Sequence, residues 1–143
     1  MSEVIRKMTC VDIRQIRKLP VQLAHPATAV LPPRKLRHLM YDRNYRLLVC
    51  ERDEQVAAFA GLNFRAPSGE SGYHFLVMDW FAVDRFAFQD GLAAEIEAHA
   101  TAIAKEKAAV AILVGYDGLP AKAKKFYAAQ GYILNGNTLI KEL

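Results

Sequence analysis

The chain has 143 residues, of which 52% are hydrophobic and 24% charged. This composition is typical of one soluble globular domain, here residues 1–143, and no apolar run approaches the ~20 residues of a membrane span. The net charge of +4 is uneven, because the chain up to Arg52 has eleven Lys and Arg against four Asp and Glu. Such a basic half can attract phosphates, nucleic acid or acidic substrates, or it can simply form solvated helix faces.

The first part of the chain predicts one strand and two helices. Residues 4–8 alternate weakly, as a strand does, and Thr9 then offers an N-cap with Asp12 three residues later. Apolar residues at helical spacing follow, until the stretch "AHPATAVLPP" interrupts the pattern. Pro33 suits the first turn of a second helix over residues 34–41.

The rest of the chain predicts a larger set of strands and two further helices. "YRLLVCE" and "VAAFAGLNF" form a hairpin around a polar turn, and "YHFLVMDWFAV" is a central strand that is apolar at nearly every position. Residues 92–107 form a helix, "VAILV" a buried strand, "AKAKKFYAAQ" a helix that ends before Gly131, and "YILNGNTLIKEL" a hairpin that turns at Asn135–Gly136. The order β-α-α-β-β-β-α-β-α-β-β predicts an α+β fold around a mixed sheet.

The two cysteines, Cys10 and Cys50, lie far apart and match no metal-ligating spacing. The N-terminus has no apolar leader segment, so we expect buried free thiols in a reducing cytoplasm, although the sequence also allows a disulfide. No pair of histidines has ligand spacing, and we therefore predict no metal site.

The stretch "RFAFQDG" connects the long strand to the following helix and raises the central question about function. A helix N-terminus presents backbone N–H groups that can hold a phosphate, and any residue except proline supplies such a group. Gly91 and Ala93 leave room at the helix start, whereas Asp90 is unfavourable beside a diphosphate unless it caps the helix. The alternative is an ordinary capped helix. Phe86 and Phe88 suggest an apolar patch that packs on the core, on the second subunit of a homodimer, or on an acyl or adenine group.

Several stretches, taken in chain order, resemble the GNAT superfamily of acyl-CoA-dependent N-acetyltransferases. "VIRKMTCVDIRQIRKL" is similar to the family's first strand and helix, and "YRLLVCERDEQVAAFAGLNF" to its second and third strands. "MDWFAVD" resembles the fourth strand, which ends here in the dipeptide Val83-Asp84. "AKAKKFYAAQGY" resembles the late helix, with Tyr127 followed four residues later by glycine and an aromatic residue, and "TLIKEL" resembles the family's C-terminus.

The resemblance runs over nearly the whole chain and implies a GNAT-like α+β fold. Its mixed, mostly antiparallel sheet of six to seven strands would be flanked by about four helices. The resemblance also implies an acyltransferase that moves an acetyl group from acetyl-CoA, as co-substrate, to a primary amine of an unidentified small molecule or protein. The acceptor side would be built from the first two helices and the terminal hairpin. The basic character of this part disfavours a polyamine and favours a neutral or acidic amine.

Three groups of residues are implied to hold acetyl-CoA. The end of the fourth strand, here Phe81, Ala82 and Val83, would lend backbone groups to the pantetheine arm. Lys122 on the late helix could meet the 3′-phosphate as a point charge, or it could lie on a solvated helix face. The third group is the pyrophosphate loop and helix start, which comprises Phe88, Gln89, Asp90, Gly91, Leu92 and Ala93.

Two residues are implied to carry the chemistry. Tyr127 matches the family's general acid, since a phenol of pKa near ~10 can protonate a thiolate of pKa near ~8–9; the alternative is a core tyrosine beside Phe126. Asp79 is the one acidic residue in the apolar run over 73–83. It is the candidate base, or it orients a water that acts as base, although a satisfied structural carboxylate explains it equally well. A histidine can also act as a base near neutral pH, but His74 lies early in the strand, so it ranks behind Asp79.

The chain departs from the family pattern around the loop. Phe88 stands where Gln or Arg is usual, Gln89 where glycine is common, and Arg85 where a proline often follows the Val-Asp pair. Pro120 replaces an Asn or Arg seven residues before Tyr127. These departures leave open a second hypothesis, a GNAT-like fold that has lost activity and serves as a binding or regulatory module. A nucleic-acid-associated protein ranks last, because no aromatic-plus-basic strand pattern accompanies the basic half.

Overall fold

The computed structural model describes residues 3–19, 21–25, 32–65, 74–84 and 91–143. Its strands are β1 (Glu3–Lys7), β2 (Val21–His25), β3 (Tyr45–Arg52), β4 (Gln55–Arg65), β5 (His74–Asp84), β6 (Ala109–Gly115), β7 (Ile133–Asn135) and β8 (Thr138–Glu142). Its α-helices are α1 (Ile13–Arg17), which follows a 3₁₀ turn at Cys10–Asp12, α2 (Pro33–Met40), α3 (Leu92–Glu106) and α4 (Ala121–Ala129).

The strands form one mixed sheet in the order β1-β3-β4-β5-β6-β8-β7, and β2 pairs with β5 beside this path. The neighbours along the path are antiparallel except β5 and β6, which are parallel and are connected through α3. The prediction of an α+β fold with a mostly antiparallel sheet and four helices is therefore confirmed. The strand that the sequence did not predict is β2.

Helices cover both faces of the sheet and create two apolar cores. The core between the sheet and α3 and α4 contains Leu76, Met78, Ile96 and Tyr127. The core between the sheet and α1 and α2 contains Ile16, Leu36, Phe59 and Trp80. β5 contributes side chains to both cores, which explains why this strand is apolar at nearly every position.

Two hairpin turns follow the backbone rules for tight connections. β3 and β4 are joined by Asp53 and Glu54, which both have positive φ, 52° and 67°, as a type I′ turn requires. β7 and β8 are joined by Gly136 and Asn137. The predicted turn at Asn135–Gly136 is therefore wrong by one residue, because Gly136, with φ of 64°, takes the first central position and Asn135 is still paired in the strand.

A charged cluster ties the start of the chain to the sheet. The Arg6 guanidinium donates to both carboxylate oxygens of Asp12, at 2.8 and 2.9 Å, and to Oε1 of Glu51 at 2.8 Å. The backbone N–H of Thr9 donates to Asp12 Oδ2 at 2.7 Å, so the predicted capping pair is present. Burial alone would raise the pKa of Asp12, but the hydrogen bonds from Arg6 and Thr9 hold that pKa below its ordinary value.

The expectation of buried thiols is correct for one cysteine only. Neither cysteine forms a disulfide, and Cys50 is buried, whereas Cys10 is exposed at the start of the 3₁₀ turn. The prediction that Cys10 is buried is therefore wrong, because its turn lies on the surface. Within the described ranges, no helix is both long enough and apolar enough to cross a membrane.

Candidate active site

β5 and β6 run side by side only at the start of β5. Their parallel pairing on β5 extends from His74 to Val77, and β6 then continues alongside β8. β5 remains paired with β4 as far as Val83. The strands therefore separate beyond Val77. The gap, bounded on β5 by residues 78–84, is called the β5–β6 groove.

β2 lies in the β5–β6 groove. It pairs antiparallel with the end of β5, with Val21 opposite Asp84 and His25 opposite Phe81. Because β4 already pairs with the other edge of β5, β2 uses the edge that faces β6. This strand was not predicted from the sequence, because the prolines near it indicate an interruption of regular structure. The signal that could have found it is the short run "VQLAH", in which Val21 and Leu23 alternate with Gln22.

The three residues predicted to lend backbone groups to pantetheine lie on this edge. Phe81, Ala82 and Val83 stand opposite His25, Ala24 and Leu23 respectively. The Phe81 and Val83 side chains are buried in the core under α3 and α4. That these residues bind pantetheine stays a prediction, and it requires an edge that β2 occupies in this structure.

A β-bulge at the entrance of the groove displays Asp79. Leu62 of β4 lies opposite Met78, but the next residue, Gly61, lies opposite Trp80, so Asp79 is the extra residue of β5. Gly61 makes room for the bulge, because a Cβ atom there would lie only 2.7 Å from Cε3 of Trp80. A bulge re-aims a side chain, and here it places a carboxylate in a strand whose neighbours are buried.

Asp79 is held by two polar side chains. The Tyr45 hydroxyl donates to Oδ2 of Asp79 at 2.6 Å, and the Asn63 amide donates to the same oxygen at 3.4 Å. Burial, the hydrogen bond to Asp79 and the charge of Asp79 raise the pKa of Tyr45 to about 12. Tyr45 and Asn63 were not predicted as site residues, since no pattern in the sequence pairs the first residue of β3 with a residue of β5.

Tyr127 is completely buried, with 0% of its surface exposed. Its ring packs edge-on against Phe126 and Tyr132, with centroids 5.3 and 5.0 Å away, and its hydroxyl lies 3.5 Å from Sδ of Met78. Burial first, and the charge of Glu97 second, raise the pKa of Tyr127 well above its ordinary value. The phenol is therefore neutral and carries its proton at any physiological pH.

The two predicted catalytic side chains lie on opposite faces of β5. Tyr127 reaches Met78 in the core under α3 and α4. Asp79, the next residue, instead bonds Tyr45, which packs against the core under α1 and α2. The structure thus places the Tyr127 hydroxyl against Met78, the residue of β5 directly before Asp79. A substrate in the β5–β6 groove could meet a proton donor on one side and an acceptor on the other. His74, the lower-ranked base, is exposed at the far end of β5.

The start of α3 offers backbone N–H groups at the carboxyl-terminal side of the groove. Gly91 is the N-cap residue, with φ of 85° and no side chain to cap the helix, and Leu92 and Ala93 begin the first turn. A Cβ atom at Gly91 would meet no atom of the described residues within 4 Å, and the left-handed backbone is what favours glycine there. The predicted phosphate-loop residues Phe88, Gln89 and Asp90, and Phe86 beside them, lie outside the described residues.

The basic residues of α4 have different surroundings. Lys122, the predicted contact for the 3′-phosphate, is exposed in the first turn of the helix. Lys124 Nζ lies 4.4 Å from the ring centroid of Tyr116 and forms a cation–π contact. Lys122 is therefore the freer of the two to meet a ligand. Among the described residues, no group of His, Cys, Asp and Glu is arranged to hold a metal ion.

A cavity of about 450 Å³ opens where β3, β5 and β6 begin. Tyr45 lines it. The cavity therefore shares a residue with the group formed by Asp79, Tyr45 and Asn63, called the Asp79 cluster. Its ionisable lining is mostly basic and comprises Lys7, Asp42, Arg43, Arg46, His74 and Lys107. An anionic or neutral molecule would be favoured there over a polycation.

Three solved structures share this architecture at low sequence identity. A transcriptional regulator from Bacillus halodurans is 19% identical, with a TM-score of 0.79 over 94% of this chain and 95% of that chain. Ribosomal-protein-S18-alanine N-acetyltransferase from Escherichia coli is 14% identical, with a TM-score of 0.73 over 97% and 91%. PaiA N-acetyltransferase from Thermoplasma acidophilum, in complex with coenzyme A, is 13% identical, with a TM-score of 0.69 over the full length of both chains.

No curated protein matches this chain in sequence. The model of the GNAT family of acetyltransferases, in contrast, matches residues 12–132, which include β5, the start of α3 and the Tyr127 helix. A match over most of the chain, together with the fold, identifies it: the protein belongs to the GNAT acetyltransferase family, whose members are acyltransferases that use acetyl-CoA.

Proposed function

We propose that this protein is an N-acetyltransferase that moves the acetyl group of acetyl-CoA to a primary amine of a small molecule or a protein. The observation that carries the proposal is the β5–β6 groove. There the buried Tyr127 contacts Met78 of β5, and the next residue of the strand is Asp79 in its bulge. The relatives named above support the fold, and the family match supports the acyl donor.

The groove has the chemistry that acetyl-CoA requires. The edge of β5 at residues 81–83 offers peptide N–H and C=O groups to the amides of pantetheine once β2 is away. The first turn of α3 offers N–H groups to a diphosphate, and Gly91 itself has no side chain that would cap them. Lys122 supplies a positive charge at the start of α4. Bound acetyl-CoA would contribute an activated acetyl thioester.

Asp79 and Tyr127 have complementary roles in this proposal. The Asp79 carboxylate, held by Tyr45 and Asn63, takes a proton from the acceptor ammonium directly or through a water, so that the free amine can attack. As the new C–N bond forms and the C–S bond breaks, Tyr127 donates its proton to the leaving sulfur, and the proton that the nitrogen then loses returns to Tyr127. Its raised pKa keeps that proton in place until a thiolate is generated.

The acceptor is proposed to be a neutral or acidic amine. The cavity beside Tyr45 has four Lys and Arg residues against one Asp in its lining, which disfavours a polyamine. The acceptor would approach from the face that α1 and α2 cover, because Asp79 lies on that face.

The test is an amine screen with acetyl-CoA that measures the released CoA thiol. The panel should contain polyamines, amino acids, amines that carry phosphate or carboxylate groups, and peptides with free amino termini. We expect thiol release with an uncharged or acidic amine, and its loss in Tyr127→Phe. Release with polyamines alone would contradict the acceptor class, and equal release without any amine would contradict amine transfer.

The cellular setting is a further part of the proposal. We propose a cytoplasmic protein, which the two free thiols support, and a homodimer through Phe86 and Phe88. Sedimentation of the wild-type protein beside Phe86→Ser/Phe88→Ser tests the dimer. A monomer at every concentration of the wild-type protein would contradict it.

A further inference from the structure

β2 occupies the edge of β5 that acetyl-CoA needs in the proposed function. The register sets Leu23 opposite Val83 and Ala24 opposite Ala82, so the strand covers the same residues that would bond pantetheine. A peptide strand and pantetheine offer the same kind of amide groups to an edge. They therefore compete for it and cannot occupy it together.

The surroundings of Tyr127 lead to the same conclusion independently. β2 contacts α4, the helix that carries Tyr127, as well as β5. Tyr127 has no exposed surface, and a general acid must be within hydrogen-bond reach of the atom that it protonates. A thioester sulfur that approaches along the groove would have to take space that β2 fills.

We propose that β2 is an autoinhibitory strand: it closes the β5–β6 groove in the free protein and leaves β5 when acetyl-CoA binds. This inference rests on the proposed function and deepens it, because it assigns a regulation to the same site. The free protein is then an equilibrium between a closed form and an open form, and only the open form binds acetyl-CoA.

Several features of β2 favour its release from β5. It has five residues, its register shifts between Val21 and Leu23, and β5 is its one strand partner in the described part of the chain. Pro20 and Pro26 flank it in the sequence, and neither can donate a backbone hydrogen bond that would extend the pairing. Few hydrogen bonds therefore hold β2, in contrast to the eleven-residue β4 on the other edge of β5.

Release of the strand would also reach the acceptor side. β2 lies in the connection between α1 and α2, and these helices cover the face on which Asp79 lies. Movement of β2 would therefore loosen the connection above the acceptor approach at the moment when acetyl-CoA binds. Acetyl-CoA is expected to bind first and the amine second.

A reversible lock tests the proposal directly. Val21 and Asp84 are Cα partners across the antiparallel pair, at a separation that suits a disulfide. The variant Val21→Cys/Asp84→Cys, made with Cys10→Ser to remove the exposed thiol, is oxidised, checked by mass spectrometry, and titrated calorimetrically with acetyl-CoA before and after reduction. The matched control is Ile5→Cys with Cys10→Ser, which can bridge to the native Cys50 between β1 and β3, away from the groove.

The expected result is that the oxidised lock variant does not bind acetyl-CoA and that the reduced form does, while the control binds equally in both states. Equal binding by the oxidised and reduced lock variant would overturn the autoinhibitory strand and leave the proposed function standing. No binding by any form, wild-type protein included, would overturn both.

A second variant serves if the lock variant does not fold. Leu23→Pro removes a backbone N–H from β2 and disfavours the closed form. If the open form of the wild-type protein is populated about one part in ten, affinity for acetyl-CoA should rise about tenfold. An unchanged affinity would overturn the proposal.

Hydrogen exchange tests the release of β2 without a mutation. The amides of residues 21–25, which pair with β5 in the closed form, should lose protection when acetyl-CoA is added to the wild-type protein. Retained protection in the presence of bound acetyl-CoA would contradict release.

Discussion

At the scale of single residues, Tyr127 and Asp79 differ in how much the sequence reveals of them. Tyr127 could be singled out because its helix, with a glycine and an aromatic residue after it, resembles the late helix of the GNAT family. Asp79 could be singled out as a carboxylate in an apolar strand. Its bulge and its bonds to Tyr45 and Asn63 could not be predicted, because they depend on the register between three strands.

Tyr127→Phe removes one hydroxyl group whose hydrogen bond to the Met78 sulfur is weak. We expect kcat to fall by about 10²–10⁴, as for other general acids, while stability and acetyl-CoA affinity change little. Steady-state kinetics with an acceptor from the amine screen provides the measurement. Tyr132→Phe is the matched control, since it removes a buried hydroxyl that bonds Glu97 at 3.1 Å. An unchanged kcat in Tyr127→Phe would remove this residue from the acid role.

Asp79→Asn retains the shape of the side chain and removes its charge. We expect kcat/KM to fall by about 10²–10⁴ if Asp79 or its water is the base. His74→Asn is the comparison variant and should lower the rate less than Asp79→Asn, since His74 lines the cavity but lies at the start of β5, five residues before Asp79. A rate that is lost in His74→Asn and retained in Asp79→Asn would reverse their order.

The contact between Tyr45 and Asp79 can be tested through the pH dependence of the free energy of unfolding. Its pKa of about 12 in the folded protein lies above the ~10 of an unfolded chain. The neutral phenol therefore contributes stability that is fully present below about pH 10 and is lost as the pH rises through about 12. Denaturant unfolding across this window should show a shallower loss of stability in Tyr45→Phe than in the wild-type protein. Identical slopes would contradict the coupling.

At the scale of elements, the sequence pattern predicted most of the fold, because the helices have apolar residues at helical spacing and the central strand is a continuous apolar run. The exception is β2, whose five residues form too short a run between prolines for a pattern to establish itself. The hairpin at Gly136 shows a second limit. Asn-Gly predicts a tight turn, but the pairing of Asn135 with Thr138 places Gly136, and not Asn135, first in the turn.

The start of α3 allows a prediction that separates backbone conformation from space. Gly91 has φ of 85°, and no described residue lies within 4 Å of its Cβ position, so Gly91→Asn should be tolerated, because Asn adopts the left-handed conformation. Gly91→Val, with a β-branched side chain, should distort the start of the helix and weaken acetyl-CoA binding. Calorimetric titration of both variants with acetyl-CoA measures whether their affinities differ in this way. Equal affinity in Gly91→Val and the wild-type protein would contradict anion binding at this helix start.

At the scale of the whole molecule, the order of the elements carried the fold prediction. A parallel β5–β6 pair within an otherwise antiparallel main path follows from one helical crossover between two apolar strands. The groove follows from the same arrangement, since strands that pair only over their first residues must separate afterwards. What fills the groove in the free protein could not be predicted, because it depends on a long-range pairing between residues 21–25 and 81–84.

The central claim is that the β5–β6 groove binds acetyl-CoA, and calorimetric titration of the wild-type protein with acetyl-CoA tests it most directly. Coenzyme A and ATP serve as controls, and Trp80, the single tryptophan, lies beside Asp79 and offers an independent fluorescence signal. We predict saturable binding of acetyl-CoA in the micromolar range and no comparable binding of ATP. Folded protein that shows no saturable binding of acetyl-CoA would contradict this claim and would redirect the search to protein partners.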